Sequence, residues 1–303
     1  MTELHLSPKV SRALTEGNAV VALESTIFSE LGLPDPHNRK ALGLCTDAIV
    51  QGGAEPALTA VLDGVATVGV PESDYDRICG PTRKVAARDI GPAIAQRWPY
   101  GATTVSASMR LAAAAGIKVF ATGGIGGVHK GSASTLDVSA DLQALAKEQV
   151  VTVSAGAKVF LDLPGTLEYL ETMSVPVLGW HTDHFPAFHA PSSGLPVPHR
   201  VSSAAEVVAI AQAHWSLGGG GILLVVPVPD DAGLELDELM AVADQATTEV
   251  LAEGISGNAV TPAVLDRLSD ITNGATIEAN LALATNNAKI AADVATAFAQ
   301  SAQ

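Results

Sequence analysis

KVFATGGIGGVHKGSASTLDVSADLQALAKEQVVTVSAGAK, residues 118–158, changes character three times along its length, and the order of the changes implies an α/β fold. It opens on an apolar, β-rich run over 119–122 and passes into a glycine-rich loop. Ser139 then stands where a helix cap belongs, because its hydroxyl can accept from a free N–H of the first turn, and it predicts a helix over 140–148. A second β-rich run covers 150–154. Strand, helix and strand within about 30 residues form a βαβ unit, whose right-handed crossover brings both strand C-termini to one sheet edge. Open α/β sheets bind ligands at that edge. Here it gathers the glycines of 123–127 with His129, Asp137, Asp141 and Lys158, which makes it the candidate active site.

Toward the N-terminus, a helix is expected over 106–115, ending at Gly116, behind the segment 101–105. Before it lie the densest basic patch of the chain, Arg83-Lys84 and Arg88-Asp89, and a helix beginning at Pro92. Two β-rich runs within 58–70 flank Asp63-Gly64, a favoured two-residue hairpin turn. A helix over 38–51 carries Ala41, Leu42, Cys45 and Ile49 on one face. The continuous apolar run 19–23 reads as a buried strand with Glu24 at its end, preceded by a short helix over 7–16. The long irregular connection 25–36 is of a kind more often functional than idle. Toward the C-terminus, 159–173 is expected to be broken by Pro164 and to hold a helix through 167–170, followed by a strand over 175–179. The His-, Pro- and Ser-rich loop 180–200 is expected to cover something. A helix over 204–215, a strand over 222–226 and helices over 234–253, 262–267 and 277–300 complete the chain.

The 303 residues are 48% hydrophobic, enough for a substantial core, and no linker divides them, so 1–303 is expected to be a single domain. The net charge of -15, from 32 acidic and 17 basic residues, argues against a nucleic acid polymer as partner. A small phosphorylated ligand is compatible with it, since backbone N–H groups and one or two local cations suffice for an anion. Cys45 and Cys79 form neither a metal-ligand spacing nor a disulfide framework. The segment MTELHLSPKV has charges where a signal peptide would be apolar, and no apolar run approaches the roughly 18 residues of a membrane span. A soluble, unprocessed, cytoplasmic protein is expected.

Lys158 follows a strand behind Ala155, Gly156 and Ala157, small residues that let a ligand approach the backbone. Partial desolvation there would favour the free amine, a nucleophile toward a carbonyl or masked aldehyde. The plainer alternative is a solvated lysine at a strand end. Asp137 and Asp141 are four apart, but the Ser139 cap leaves Asp137 in the loop. One carboxylate there is all that a hard cation keeping several waters requires, whereas the plainer reading is a turn residue. Glu24 is a general acid or base if burial raises its pKa, and otherwise an ion-pair or cap residue. The glycine loop is not a dinucleotide fingerprint, because His129 stands where the third glycine would fall. His129 alone reads as a hydrogen-bonding loop residue.

Several strings, taken in one order, resemble a known family. ALEST at 22–26, GATTVSASM at 101–109, VFATGGIGGVHKG at 119–131, LDVSADLQALA at 136–146 and SAGAK at 154–158 are similar to the pseudouridine-5′-phosphate glycosidase, or indigoidine synthase A-like, family. LEYLETMSVPVLGW at 167–180, FPAFHAPSSGLPVPHR at 185–200 and NNAKIAADVA at 286–295 extend the resemblance over nearly the whole chain. It implies a three-layer α/β/α sandwich with a central, mostly parallel or mixed sheet, assembled as a homotrimer. It implies an Mn²⁺-dependent enzyme, one ion per subunit, that reversibly cleaves the C–C glycosidic bond of pseudouridine 5′-phosphate to uracil and ribose 5-phosphate. By the same resemblance Lys158 is the covalent nucleophile, Glu24 the proton donor and Asp137 the metal ligand, while Lys84, Val105, Ser139, Ala140 and Asp141 bind substrate.

The chemistry of the residues agrees with that implication. A C-glycoside offers no leaving oxygen to protonate, so the two-carboxylate route of ordinary glycosidases does not transfer. Opening the ribose and holding C1′ on a lysine supplies an electron sink beside the bond to be broken. Two departures stand out. The family's K-V-S-R-R-D is Lys84-Val85-Ala86-Ala87-Arg88-Asp89 here, losing a hydroxyl and a cation, and its N-P-I-P is Val226-Pro227-Val228-Pro229, losing an amide. Both bear on substrate affinity and base identity. Two other classes of function remain: an imine-forming lyase or aldolase using Lys158 on another phosphosugar, and a nucleotide-binding accessory protein of pigment biosynthesis.

Overall fold

Apolar residues on the central strands point alternately to two separate cores, as a sheet buried on both faces requires. All four residues of the strand Val20–Leu23 are buried. Val21 and Leu23 join one core, Val20 and Ala22 the other. The same division separates Ile222 and Leu224 from Leu223 and Val225. The computed structural model describes residues 4–255 and 257–301.

Seven strands run parallel in the order Glu55–Leu62, Val20–Leu23, Val119–Ala121, Val151–Ser154, Ile222–Val225, Val177–Trp180 and His199–Val201. Beyond Glu55–Leu62 the sheet becomes mixed. Val65–Val68 returns antiparallel through Asp63 and Gly64, both with positive φ, so the expected hairpin forms. Its outer edge carries the two-residue strand His5–Leu6.

The second half of Glu55–Leu62 makes a different pairing, antiparallel with Tyr100–Thr103, which in turn pairs with Arg83–Val85. Helices His37–Gln51, Ala204–Ser216 and Ala275–Ser301 contribute to one core. Pro8–Thr15, Val105–Ala114, Ala140–Lys147, Leu163–Thr172, Leu236–Ala252 and Val260–Ile271 contribute to the other. The protein is thus a three-layer α/β/α sandwich around a mixed, mostly parallel sheet. Among the described residues no helix is long and apolar enough to cross a membrane.

The central βαβ unit forms as its pattern predicts. Val119–Ala121 and Val151–Ser154 are adjacent and parallel, and Ser139 caps Ala140–Lys147 by accepting from the N–H of Asp141. Pro164 does not break 159–173, contrary to the sequence-based expectation. It lies in the first turn of Leu163–Thr172, where its missing N–H has no intrahelical acceptor to serve, and Asp162 caps that helix. Pro262 is likewise inside the first turn of Val260–Ile271, so that helix starts earlier and runs longer than 262–267. The strand Arg83–Val85 was not legible in the sequence, being three residues long and mostly charged.

Candidate active site

Parallel strands deliver their C-termini to one edge, and around that edge lies a cavity of about 350 Å³. Glu24 follows the strand Val20–Leu23, Thr122 follows Val119–Ala121, and Lys158 comes four residues after Val151–Ser154. All eight site residues implied by the resemblance line this cavity: Glu24, Lys84, Val105, Asp137, Ser139, Ala140, Asp141 and Lys158. His129 and the glycines Gly123, Gly124 and Gly126 line it too.

Glu24 is buried, and its carboxylate accepts the hydroxyl hydrogen of Thr122. The connection after it is tied to the neighbouring strand: Thr103 N–H donates to Ser25 Oγ at 2.9 Å, and Thr26 Oγ1 donates to Thr103 O at 2.8 Å. Burial pushes the Glu24 carboxyl up to about 7, against the charge of Lys158 and the Thr122 hydrogen bond, which pull it down. A carboxyl in that range holds its proton about half the time at neutral pH and can give it away.

Lys158 reaches the cavity because the chain turns sharply behind its strand. Gly156 has φ +74°, and a Cβ there would lie 2.1 Å from the Pro186 carbonyl oxygen, so a side chain is excluded. The partly buried Lys158 amine donates to the Gly124 carbonyl at 3.0 Å. Lys84 arrives from Arg83–Val85, whose alternation separates the basic patch. Lys84 lines the cavity, while the Arg83 guanidinium lies 3.5 Å from the centre of the Trp98 ring. Burial, with the Lys158 charge, lowers the Lys84 pKa, and Asp141, Glu24 and Asp89 oppose the shift.

The glycine loop is held by close contacts that a Cβ would occupy. One at Gly126 would fall 2.4 Å from Ser139 Oγ, and one at Gly124 would fall 2.6 Å from the Phe188 ring. Asp141 fastens the loop to the helix Val105–Ala114: its Oδ1 accepts from Ser106 N and its Oδ2 from Gly126 N, both at 2.9 Å. Phe188, from the loop 180–200, forms part of the cavity wall. Asp137 is held at the more open side of the cavity. Its side chain is 45% exposed, with Oδ2 3.9 Å from His129 Nδ1, and its carbonyl accepts from His129 N at 3.1 Å. Burial lowers the His129 pKa, and Asp137 opposes that.

No group of three or more His, Cys, Asp or Glu able to hold a metal ion occurs among the described residues. The donor set therefore fits only a cation that keeps most of its waters and takes one carboxylate, which Asp137 at the cavity wall can supply.

Two asparagines of the long helix Ala275–Ser301 received no role in the sequence reading, although Asn287 lies in the quoted string 286–295. Asn287 Nδ2 donates to the carbonyls of Thr122 at 2.8 Å and Gly123 at 3.1 Å, fixing the start of the glycine loop. Asn280 lines the cavity with its buried Oδ1 unpartnered among the described residues. Polar residues inside an otherwise alanine-rich helix were the available signal. Of the departing positions, Ala86 lines the cavity beside Arg88 and Ala87 does not, whereas Val226 is a core residue that lines neither this cavity nor the one beside it.

A lysine amine and a carboxyl raised toward neutrality at the C-terminal edge of a parallel sheet place a candidate nucleophile and a candidate proton donor around one cavity of an α/β protein. The chain belongs to the family described as indigoidine synthase A like protein, whose model matches residues 9–297. It is 45% identical over 302 residues to a pseudouridine-5′-phosphate glycosidase of Myxococcus xanthus, covering 98% of this chain and 99% of the relative. A pseudouridine-5′-phosphate glycosidase of Herpetosiphon aurantiacus is 47% identical, with 99% and 100% covered. The crystal structure of the prealnumycin C-glycosynthase in complex with ribulose 5-phosphate has a TM-score of 0.90 at 35% identity, covering 100% of both chains. An indigoidine synthase A-like protein from Thermotoga maritima has a TM-score of 0.87 at 32% identity, with 97% and 95% covered.

Proposed function

We propose that this chain is a pseudouridine-5′-phosphate glycosidase, cleaving its substrate reversibly to uracil and ribose 5-phosphate. The observation that carries the proposal is the placement of Lys158, Glu24 and Lys84 around one cavity of about 350 Å³. The near full-length relatives with that activity in their names, and a neighbour solved with a five-carbon phosphosugar, support it.

In the proposed reaction the free amine of Lys158 bonds to C1′ as the C1′–O4′ bond breaks, and O4′ takes a proton from Glu24. The resulting ammonium returns a proton to the Glu24 carboxylate, and the nitrogen lone pair so freed forms C1′=N as the bond from C1′ to the base breaks. Its electron pair stays on the base carbon, which takes up a proton and leaves as uracil. Water adds to the iminium, returning the amine and freeing ribose 5-phosphate. Asp141 keeps the glycine loop and the start of the Val105 helix in register, with Ser139 and Ala140 beside it. Lys84 serves the phosphate. A divalent cation such as Mn²⁺, held at Asp137, would supply further positive charge for an anionic substrate. A cytoplasmic homotrimer with one ion per subunit completes the proposal.

The test is incubation of pure protein with pseudouridine 5′-phosphate, following free uracil by chromatography, and with uracil plus ribose 5-phosphate for the reverse. Formation of uracil forward and of C-glycoside in reverse is expected. Turnover of another phosphosugar without uracil release would move the assignment to an imine-forming lyase or aldolase. Binding without any turnover would leave an accessory protein.

A further inference from the structure

A second cavity, of about 610 Å³, adjoins the first. Leu31, Gly32, Lys84, Pro262, Leu265 and Asn280 line both, so the two are lobes of one space. The second lobe is walled by apolar side chains such as Leu33, Pro34 and Ile277. Its acidic residues, Glu30 and Asp266, disfavour an anion, and Lys84 at the junction is its lysine. A phosphate is better held in the first lobe, where Lys158, Lys84 and Arg88 stand together.

His189 lines the second lobe and is 1% exposed, yet neither ring nitrogen has a hydrogen-bonding partner among the described residues. Buried polar groups are ordinarily paired, so an unpaired ring on a cavity wall points to a partner brought by a ligand. Asn280 Oδ1 is a second such atom, on the boundary between the lobes. Burial and the nearby charge of Lys158 push the His189 pKa down to about 3, which keeps the ring neutral near pH 7. A neutral imidazole offers one N–H donor and one nitrogen acceptor. Phe188, with its ring centre 4.3 Å from that of His189, restricts the orientation of the imidazole.

We propose that the second lobe receives the neutral, planar heterocycle released by the reaction, and that His189 recognises its amide edge. Apolar walls suit the faces of such a ring, and a paired donor and acceptor suit its N–H and C=O groups. An apolar aglycone would leave the histidine unpaired, and an anionic one would meet the carboxylates of Glu30 and Asp266. The proposal rests on the glycosidase reading for the identity of the heterocycle, and it makes His189 a residue that sets base specificity.

The experiment measures binding of uracil and of ribose 5-phosphate separately, by calorimetry, to the wild type and three variants. His189→Phe keeps a ring but removes both nitrogens, and should weaken uracil about tenfold, the effect of one net hydrogen bond, leaving ribose 5-phosphate unchanged. His189→Gln, which keeps a donor and an acceptor, should recover most of that loss. Ala263→Trp projects bulk into the second lobe from its helix and should block uracil alone, which keeps the test decisive if His189→Phe fails to fold. Unchanged uracil affinity in Ala263→Trp or His189→Phe, or an equal loss for both ligands, overturns the assignment. Wild-type protein that binds uracil but does not release it from pseudouridine 5′-phosphate would instead overturn the glycosidase reading.

Discussion

Glu24 and Thr122 are the residues that follow Leu23 and Ala121, which are paired in register on adjacent parallel strands, and the Thr122 hydroxyl donates to the Glu24 carboxylate. The sheet register therefore positions the acid. Two backbone carbonyls next to it, those of Thr122 and Gly123, are held in turn by Asn287. The carboxyl is buried, oriented and short of compensating charge, which is how it comes to retain a proton near neutrality.

Glu24→Gln should abolish turnover and stabilise the fold above neutral pH. The Glu24 pKa rises on folding from 4.5 to about 7, so between those values the folded state binds the extra proton and wild-type stability falls as pH rises. The neutral amide escapes that fall. Thermal or urea unfolding should show little difference at pH 4 and a gain on the order of 3 kcal/mol at pH 8. A constant difference across that range would contradict the raised pKa.

Lys158→Arg should lose activity as completely as Lys158→Ala, because a guanidinium keeps the charge but cannot be deprotonated to attack carbon. Borohydride added during turnover should trap a ribose-phosphate adduct on the peptide containing Lys158, read as a mass increase. Substantial turnover by either variant, or trapping on Lys130 instead, would show that the nucleophile lies elsewhere.

Lys84→Ala should raise KM more for pseudouridine 5′-phosphate than for free pseudouridine, on the order of tenfold for loss of one charge-assisted contact. An equal effect on the two substrates would remove Lys84 from the phosphate.

Asp137→Ala should abolish metal-stimulated activity with little change in melting temperature, since the side chain is 45% exposed. Exhaustive chelation of the wild type should reproduce the variant, and added Mn²⁺ should rescue the wild type alone. Full activity of the chelated wild type would exclude the metal role.

What the sequence determined by itself was local. Val119–Ala121, the Ser139 cap, Ala140–Lys147 and Val151–Ser154 lie within one βαβ unit, where apolar periodicity and a capping hydroxyl act between near neighbours. Once that unit exists, its handedness places Lys158 and the glycine loop at one edge, and Glu24 follows from the next apolar run. The resemblance added substrate-binding roles for Lys84, Val105 and Ala140, which no local pattern supplies. Only the tertiary structure decided the rest, because it depends on pairings distant in the chain.

The strand Tyr100–Thr103 continues along Glu55–Leu62 where Val20–Leu23 ends, so Thr103 meets the residues after Glu24 across 78 positions. Asp141 spends both oxygens on N–H groups from two separate elements, and Asn287 reaches Thr122 across 165 positions. Such contacts repeat at no period, so they leave no trace in hydrophobic patterning. His189 is the extreme case: its neutrality and its place on a second lobe arise from burial beside Lys158, a property of the packed interior.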